Sequence, residues 1–156
     1  IPLVLKEYAA LAQTEEYISL QYESQLQGEN LQNLLQHSLP TDIALQRTTC
    51  GIHKDELVIQ LQNELFKNIA SQGQRKSMLF ALKLAEFEML RTKHGFAPLL
   101  LIDDIYEKLD KHRIHQLLQK VCLQNNGQVF ITDTHTERVT ETFKQLKMPY
   151  QIIELE

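Results

Sequence analysis

Pro98 introduces four consecutive apolar residues, Leu99-Leu100-Leu101-Ile102, and Asp103-Asp104 ends the run. No polar residue alternates with them, which is the pattern of a strand buried on both faces of a parallel sheet. A parallel neighbour needs a right-handed crossover. The sequence supplies one, with a helix from about Asp110 to Gln124, a break at Asn125-Asn126-Gly127 and a second apolar strand, Val129-Phe130-Ile131. A helix from about Glu137 to Leu146, then Pro149, and a last strand from about Gln151 to Leu155 centred on Ile152 and Ile153 give β-α-β-α-β. Active groups in such sheets sit at the carboxyl ends of the strands. Asp103 and Asp104 occupy one such end and Thr134-His135 follow another.

Upstream, the strongest helical pattern follows Ser71-Gln72-Gly73-Gln74. Met78, Leu82, Ala85 and Met89 form one stripe, Leu79 and Leu90 widen it, and His94-Gly95 is a stop signal. Before it, Leu57, Ile59 and Leu61 alternate with polar residues and Gln62 to Glu64 interrupt before Leu65 and Phe66, which reads as a hairpin without an Asn-Gly or Asp-Gly turn. The first forty-odd residues are mixed and polar. Leu3, Leu5, Tyr8, Ala9 and Leu11 predict a helix, and Tyr17 to Ser24 alternates as a strand with Ile18, Leu20 and Tyr22 on one side. Gly28 breaks the chain, Leu31, Leu34 and Leu35 mark a second helix, and Pro40-Thr41-Asp42 restarts a short third one. No heptad is sustained, so no long coiled coil begins in this stretch.

At 156 residues a single core is the default, and 43% apolar with 23% charged residues excludes disordered and low-complexity chains. No apolar run approaches the roughly 20 residues that span a bilayer, so membrane insertion is not expected. The chain starts at Ile1 with no leader-like series, and reads as a piece of something longer. Its net charge of −4 gives no support to tight nonspecific nucleic-acid binding by this stretch itself. Cys50 and Cys122 form no CxxC pattern, which fits a reducing, cytoplasmic compartment.

Two constellations carry chemistry. Of the adjacent acids Asp103 and Asp104, one can hold Mg²⁺ while the next orients or deprotonates a water attacking a phosphoryl group; the competing reading is a pair of exposed loop residues. Ser71-Gln72-Gly73-Gln74 at a helix amino end offers free N–H groups, a dipole and a glycine that permits close approach, which together make an anion site. Its competing reading is an ordinary Ser71 N-cap. Arg75 and Lys76 in the first turn oppose the dipole, which a neighbouring polyanion would explain. His112 and His115 share a helix face, but no third ligand accompanies them, so they read as solvated residues.

In order and spacing, Ser71 to Gln74, a helix, Leu99 to Asp104, Glu107-Lys108-Leu109-Asp110 and a strand leading to Thr134-His135 resemble the carboxyl-terminal half of an ABC-type ATPase head: signature motif, Walker B, D-loop and switch residue. Within that superfamily the chain most resembles the RecF family. Gly51-Ile52-His53-Lys54-Asp55-Glu56-Leu57 is similar to that family's Gly-Pro-His-Arg-Asp-Asp-Leu-like segment, and Asp103-Asp104 to its Asp-Asp in place of the usual Asp-Glu. The resemblance is strong from about Arg47 to Val139. It implies an α/β fold, the carboxyl-terminal lobe of an ABC-type ATPase with a parallel sheet flanked by helices, over residues 46–156, and the end of a helical arm domain over residues 1–45.

The resemblance further implies Asp103 as the Mg²⁺-associated acid, Asp104 as catalytic base, and Ser71, Gln72, Gly73 and Gln74 as contacts to the γ-phosphate of ATP on a second protomer. Asp110 becomes the D-loop acid across that interface. His135 stands where a switch histidine senses the γ-phosphate; Thr132, Asp133 or Thr134 can fill that position instead. The implied parent is an ATPase that dimerises with ATP, binds DNA at single-strand/double-strand junctions and gaps, helps load recombinase, and works with RecO and RecR type mediator proteins. His53, Lys54 and Asp55 have no role derivable from sequence.

No Gly-x-x-x-x-Gly-Lys-Ser/Thr occurs, so the phosphate-cradling Walker A loop is absent and this stretch alone is not expected to hold ATP usefully. Other ABC heads are the nearest alternatives, but an SMC-like or break-repair ATPase predicts long heptads upstream and a transporter predicts Asp-Glu followed by Pro. A receiver-type phosphoacceptor domain also places paired acids at strand ends, yet leaves Ser71 to Gln74 unexplained.

Overall fold

The computed structural model describes residues 1–12, 16–123, 127–147 and 149–154. The chain divides into two compact units, one formed by residues 17–69 with Ile1, the other by residues 2–16 and 70–156. The position between residues 45 and 46 falls inside the first unit.

In the first unit, β1 (Ile18–Glu23) pairs antiparallel with β2 (Glu56–Leu61), from Ile18 opposite Leu61 to Glu23 opposite Glu56. β2 turns into β3 (Glu64–Leu65) through Gln62 and Asn63, whose φ values of 53° and 67° are the left-handed pair that a two-residue type I′ turn requires. The predicted hairpin therefore forms without glycine. α3 (Phe66–Ile69) follows, and Leu20, Leu61 and Phe66 are buried.

α2 runs unbroken over Leu31–Leu45, with Asn30 capping it by accepting a hydrogen bond from the Asn33 N–H. This corrects the expectation of a restart at Pro40, which lies inside the helix. Side chains support the second half. Asp42 accepts from the Thr49 backbone and hydroxyl at 2.8 and 2.6 Å and from Ser38 at 2.8 Å, tying the helix to the segment that follows it.

In the second unit, α1 (Pro2–Ala12) packs on α4 (Gln72–His94) and on α6 (Lys111–Leu118). α1 buries Tyr8, Leu11 and Glu7, the last in an ion pair with Lys120. α4 buries Ser77, Met78, Ala81, Leu84, Ala85 and Phe87. Met78 and Ala85 are thus core as predicted, whereas Met89, Leu79 and Leu90 are exposed. The reason is the face and not the length: Leu79 lies between buried Met78 and Ala81, and Met89 follows buried Phe87 by two residues, so α1 covers one side of α4 and leaves these positions on another. Gly95 ends α4 at φ 74°.

β4 (Leu100–Asp103) pairs parallel with β5 (Val129–Thr132), Leu100 opposite Val129 and Asp103 opposite Thr132. The expectation of burial on both faces is not met: Ile102 is 7% exposed and Leu101 75%, so one face of the strand is covered and the other open. Residues 151–154 form no strand, leaving the described parallel sheet with two strands rather than three, and Leu155 lies outside the described residues. Between β4 and β5, a short α5 (Ile105–Lys108) precedes α6, which passes into a π-helical turn over Gln119–Leu123. The predicted helix end at Gln124 and the break at Asn125-Asn126 lie outside the described residues. α7 (Thr136–Leu146) follows β5. Among the described residues no helix is long and apolar enough to cross a membrane.

Candidate functional site

Both predicted constellations lie in the second unit. Asp103 stands at the exit of β4, exposed, with one carboxylate oxygen accepting a hydrogen bond from the Thr132 hydroxyl at the exit of β5. The parallel register puts these two residues opposite each other, which is how a sheet only two strands wide gathers polar groups at one edge. Asp104, next in the chain, has φ 51° and ψ 47°, a left-handed conformation unusual for a residue with a side chain. It occupies the N-cap of α5 without capping it through its side chain. Its carboxylate is therefore not spent on the helix it precedes.

The buried acid of this cluster is Asp133, with a side chain 2% exposed. Its carboxylate accepts from the Tyr106 backbone N–H at 3.4 Å and from the His135 N–H at 2.9 Å. One side chain thereby fastens the turn after β4 to the turn after β5. His135 itself is half-exposed, its Nδ1 lying 2.9 Å from the Thr134 hydroxyl and 3.6 Å from Asp133. Tyr106 lies on α5, and burial raises its hydroxyl above the ordinary tyrosine value.

Ser71 to Gln74 form a reciprocal capping box at the start of α4. The Gln74 N–H donates to the Ser71 hydroxyl at 3.2 Å and the Ser71 N–H donates to the Gln74 side-chain oxygen at 2.8 Å. The other end of the Gln74 amide donates to Glu16 at 3.0 Å, and Glu16 accepts from the Tyr8 hydroxyl at 2.6 Å. Burial and then the Glu16 carboxylate hold the Tyr8 hydroxyl well above the usual tyrosine range. The Gln74 side chain is committed at both ends. Ser71 and Gln72 are exposed at the same helix end.

Asp110 caps α6 by accepting from the Arg113 N–H at 2.9 Å, and lies 3.6 Å from the Arg113 Nε. The guanidinium then reaches Gly73, where a Cβ would collide with Arg113 Nη1 and stand 3.3 Å from Cζ. Gly73 and Asp110 are thus linked through one arginine. The Glu107 and Lys108 side chains lie outside the described residues. An apolar groove of about 430 Å³ between α4 and β4 is lined from Lys76 to Asp103 by residues that include Leu79, Phe80, Leu99 and Leu101. Among the described residues, no group of three or more His, Cys, Asp or Glu side chains is arranged to hold a metal ion by itself.

No protein-family model matches the chain. Individual relatives do. It is 42% identical over 155 residues, 99% of its length, to the DNA replication and repair protein RecF of Flavobacterium johnsoniae. It is 36% identical to the RecF of Phocaeicola vulgatus and 38% identical to that of Bacteroides fragilis, each over 100% of its length. The chain belongs to the RecF family. It spans 42 to 43% of the length of these RecF relatives and corresponds to their carboxyl-terminal part. Among solved structures, the recombination mediator protein RecF-ATP of the RecFOR pathway matches at a TM-score of 0.64 and 27% identity, covering 86% of this chain and 39% of that one. A RecF-ATPrS structure gives 0.63 at 23%. The fold is accordingly that of the carboxyl-terminal lobe of an ABC-type ATPase.

Against this RecF background, two contributors were not legible as site residues in the sequence, and a third was legible only as one alternative among several. Glu16 and Arg113 act on Gln74 and Gly73 from 58 and 40 positions away, distances over which one sequence carries no pairing signal. Asp133 stood among three candidates for a switch position, and only its burial distinguishes it as the residue that joins the two strand exits.

Proposed function

We propose that this chain supplies the signature, Walker B and D-loop half of a RecF-type ATP-dependent DNA-binding protein that acts in DNA replication and recombinational repair. The observation that carries the reading is Asp104. Its carboxylate is free of capping, sits in a left-handed conformation, and leaves a strand exit in a chain 42% identical to RecF. Strained backbone of this kind persists where the surroundings over-determine it, which active sites do.

In this reading Asp104 is the base that accepts a proton from the water attacking the γ-phosphate, and Asp103 is the acid associated with Mg²⁺. The donor set suits that ion: Mg²⁺ keeps most of its waters and takes one or two carboxylates, and Asp103 has an oxygen left after the Thr132 bond. When bound, Mg²⁺ would neutralise charge developing on the phosphates. Ser71, Gln72 and the first-turn N–H groups of α4 receive the γ-phosphate of ATP held by a second copy, while Gln74 holds the shape of that turn. Asp110 serves the interface and His135 the switch. ATP binding drives dimerisation, and the parent protein binds DNA at junctions and single-strand gaps, helps load recombinase, and meets RecO and RecR type mediators in the cytoplasm. The ATP-bound RecF structure, matched at a TM-score of 0.64, supports the nucleotide part of this reading.

Asp104→Asn in the full-length protein tests it, because asparagine tolerates the left-handed conformation and removes only the base. The expected outcome is a loss of ATP turnover of roughly 100-fold or more with ATP binding retained. Unchanged turnover would show that Asp104 is not the base.

A further inference from the structure

The glycine of Ser71-Gln72-Gly73-Gln74 invites the reading that it leaves room for a phosphate. The space over its Cα is instead filled by the Arg113 guanidinium, which a Cβ at residue 73 would strike. Arg113 is held in turn by Asp110, through its own backbone N–H at 2.9 Å and near its Nε at 3.6 Å. Its side chain is 20% exposed against 56% for Asp110.

We infer that Arg113 is a positioning residue, which seats the signature turn of α4 against the D-loop acid so that the two approach a shared ligand as one rigid edge. The inference rests on the ATPase reading above for its purpose, though not for its geometry. Three physical points carry it. Arginine has a planar fork that can set one amino group, Nη1, over a bare Cα while Nε faces a carboxylate, and lysine has no such fork. The position works only with glycine opposite, which gives Gly73 a reason independent of any phosphate. A cation at the amino end of a helix opposes its dipole, so this placement would be disfavoured without Asp110 beside it. The arrangement makes movement at Asp110 mechanically felt at Gly73, along one side chain.

A double-mutant cycle in the full-length protein, with Gly73→Ala and Arg113→Ala alone and combined, tests this. Arg113→Ala should lower kcat for ATP roughly 10- to 100-fold, the scale at which misplacement of about 1 Å acts, while KM for ATP stays within about twofold. Gly73→Ala should also be impaired alone, yet add little in the Arg113→Ala background, because the clash partner is gone. An unchanged kcat in Arg113→Ala, or effects that multiply independently in the double variant, would overturn the proposal. Should Arg113→Ala fail to fold, Arg113→Gln keeps most of the stem and replaces it in the same cycle. Should the wild-type protein hydrolyse no ATP, the functional reading falls and amide hydrogen exchange at residues 72–76 decides on Arg113 by itself. Faster exchange in the variant supports its positioning role, and unchanged exchange removes it.

Discussion

Asp104 combines two properties that pull against each other. A side chain in the left-handed region is less stable than a right-handed one by about 1 to 2 kcal/mol, and the chain bears that at a residue whose carboxylate makes no capping bond. Asp104→Gly should therefore raise stability, by about 0.5 to 1 kcal/mol once glycine's larger unfolded-state freedom is subtracted, while turnover in the full-length protein is lost. Urea unfolding of the two proteins checks the first half, and a lower midpoint for the glycine variant would show that the conformation carries no strain. At this scale the sequence was informative where partners are close along the chain. Ser71 and Gln74 are three positions apart and their capping box could be anticipated as an N-terminal signal. The Gly73 and Arg113 pair could not, because Gly73 reads by itself as room for a phosphate and nothing in the sequence joins it to a residue 40 positions on.

Among the elements, α2 shows what local reasoning misses. Proline in a helix interior removes a hydrogen bond and clashes with the preceding turn, at about 3 kcal/mol, so a restart at Pro40 was the natural expectation. Asp42 overrides it by gathering Ser38 and Thr49 around the second half of the helix. Because no side chain of α2 is buried, packing supplies no compensation that a substitution would forfeit. Pro40→Ala should consequently stabilise the chain by about 1 to 3 kcal/mol, read as a raised thermal midpoint; no rise would mean that the proline already sits without strain. The strands teach a complementary lesson. The unbroken run Leu99 to Ile102 announces a strand correctly, yet it cannot say whether the residues covering each face belong to the same stretch of chain. Leu101, on the open face, is 75% exposed. The two-residue turn at Gln62-Asn63 was likewise hidden, since the usual glycine is missing and only the backbone angles reveal it.

For the molecule as a whole, acid is the informative perturbation. The Thr49 hydroxyl holds the Asp42 carboxyl below its ordinary value of 3.8, and the Tyr22 hydroxyl does the same for Asp55. Groups depressed in the folded state contribute stability that is fully present above their unfolded values and is lost as pH falls through the folded ones. The thermal midpoint should hold steady from pH 7 to about 5 and decline below about 4. Asp42→Asn should start lower at pH 7 and decline less steeply, which circular dichroism across that range would read; a midpoint that climbs below pH 4 would reverse the sign and refute the assignment.

The order of the chain also sets a timetable. α1 finds its partner α4 only after about sixty intervening residues, 13–71, have been made. At 5 to 20 residues per second, the ribosome takes roughly 3 to 12 s to deliver them, during which α4 is not yet available to Tyr8 and Leu11. The strands at Ile18–Glu23 and Glu56–Leu61 are complete within that interval and can pair first. Within this stretch the unit that carries the candidate chemistry is interrupted by residues 17–69 of the other, so its two segments are synthesised seconds apart.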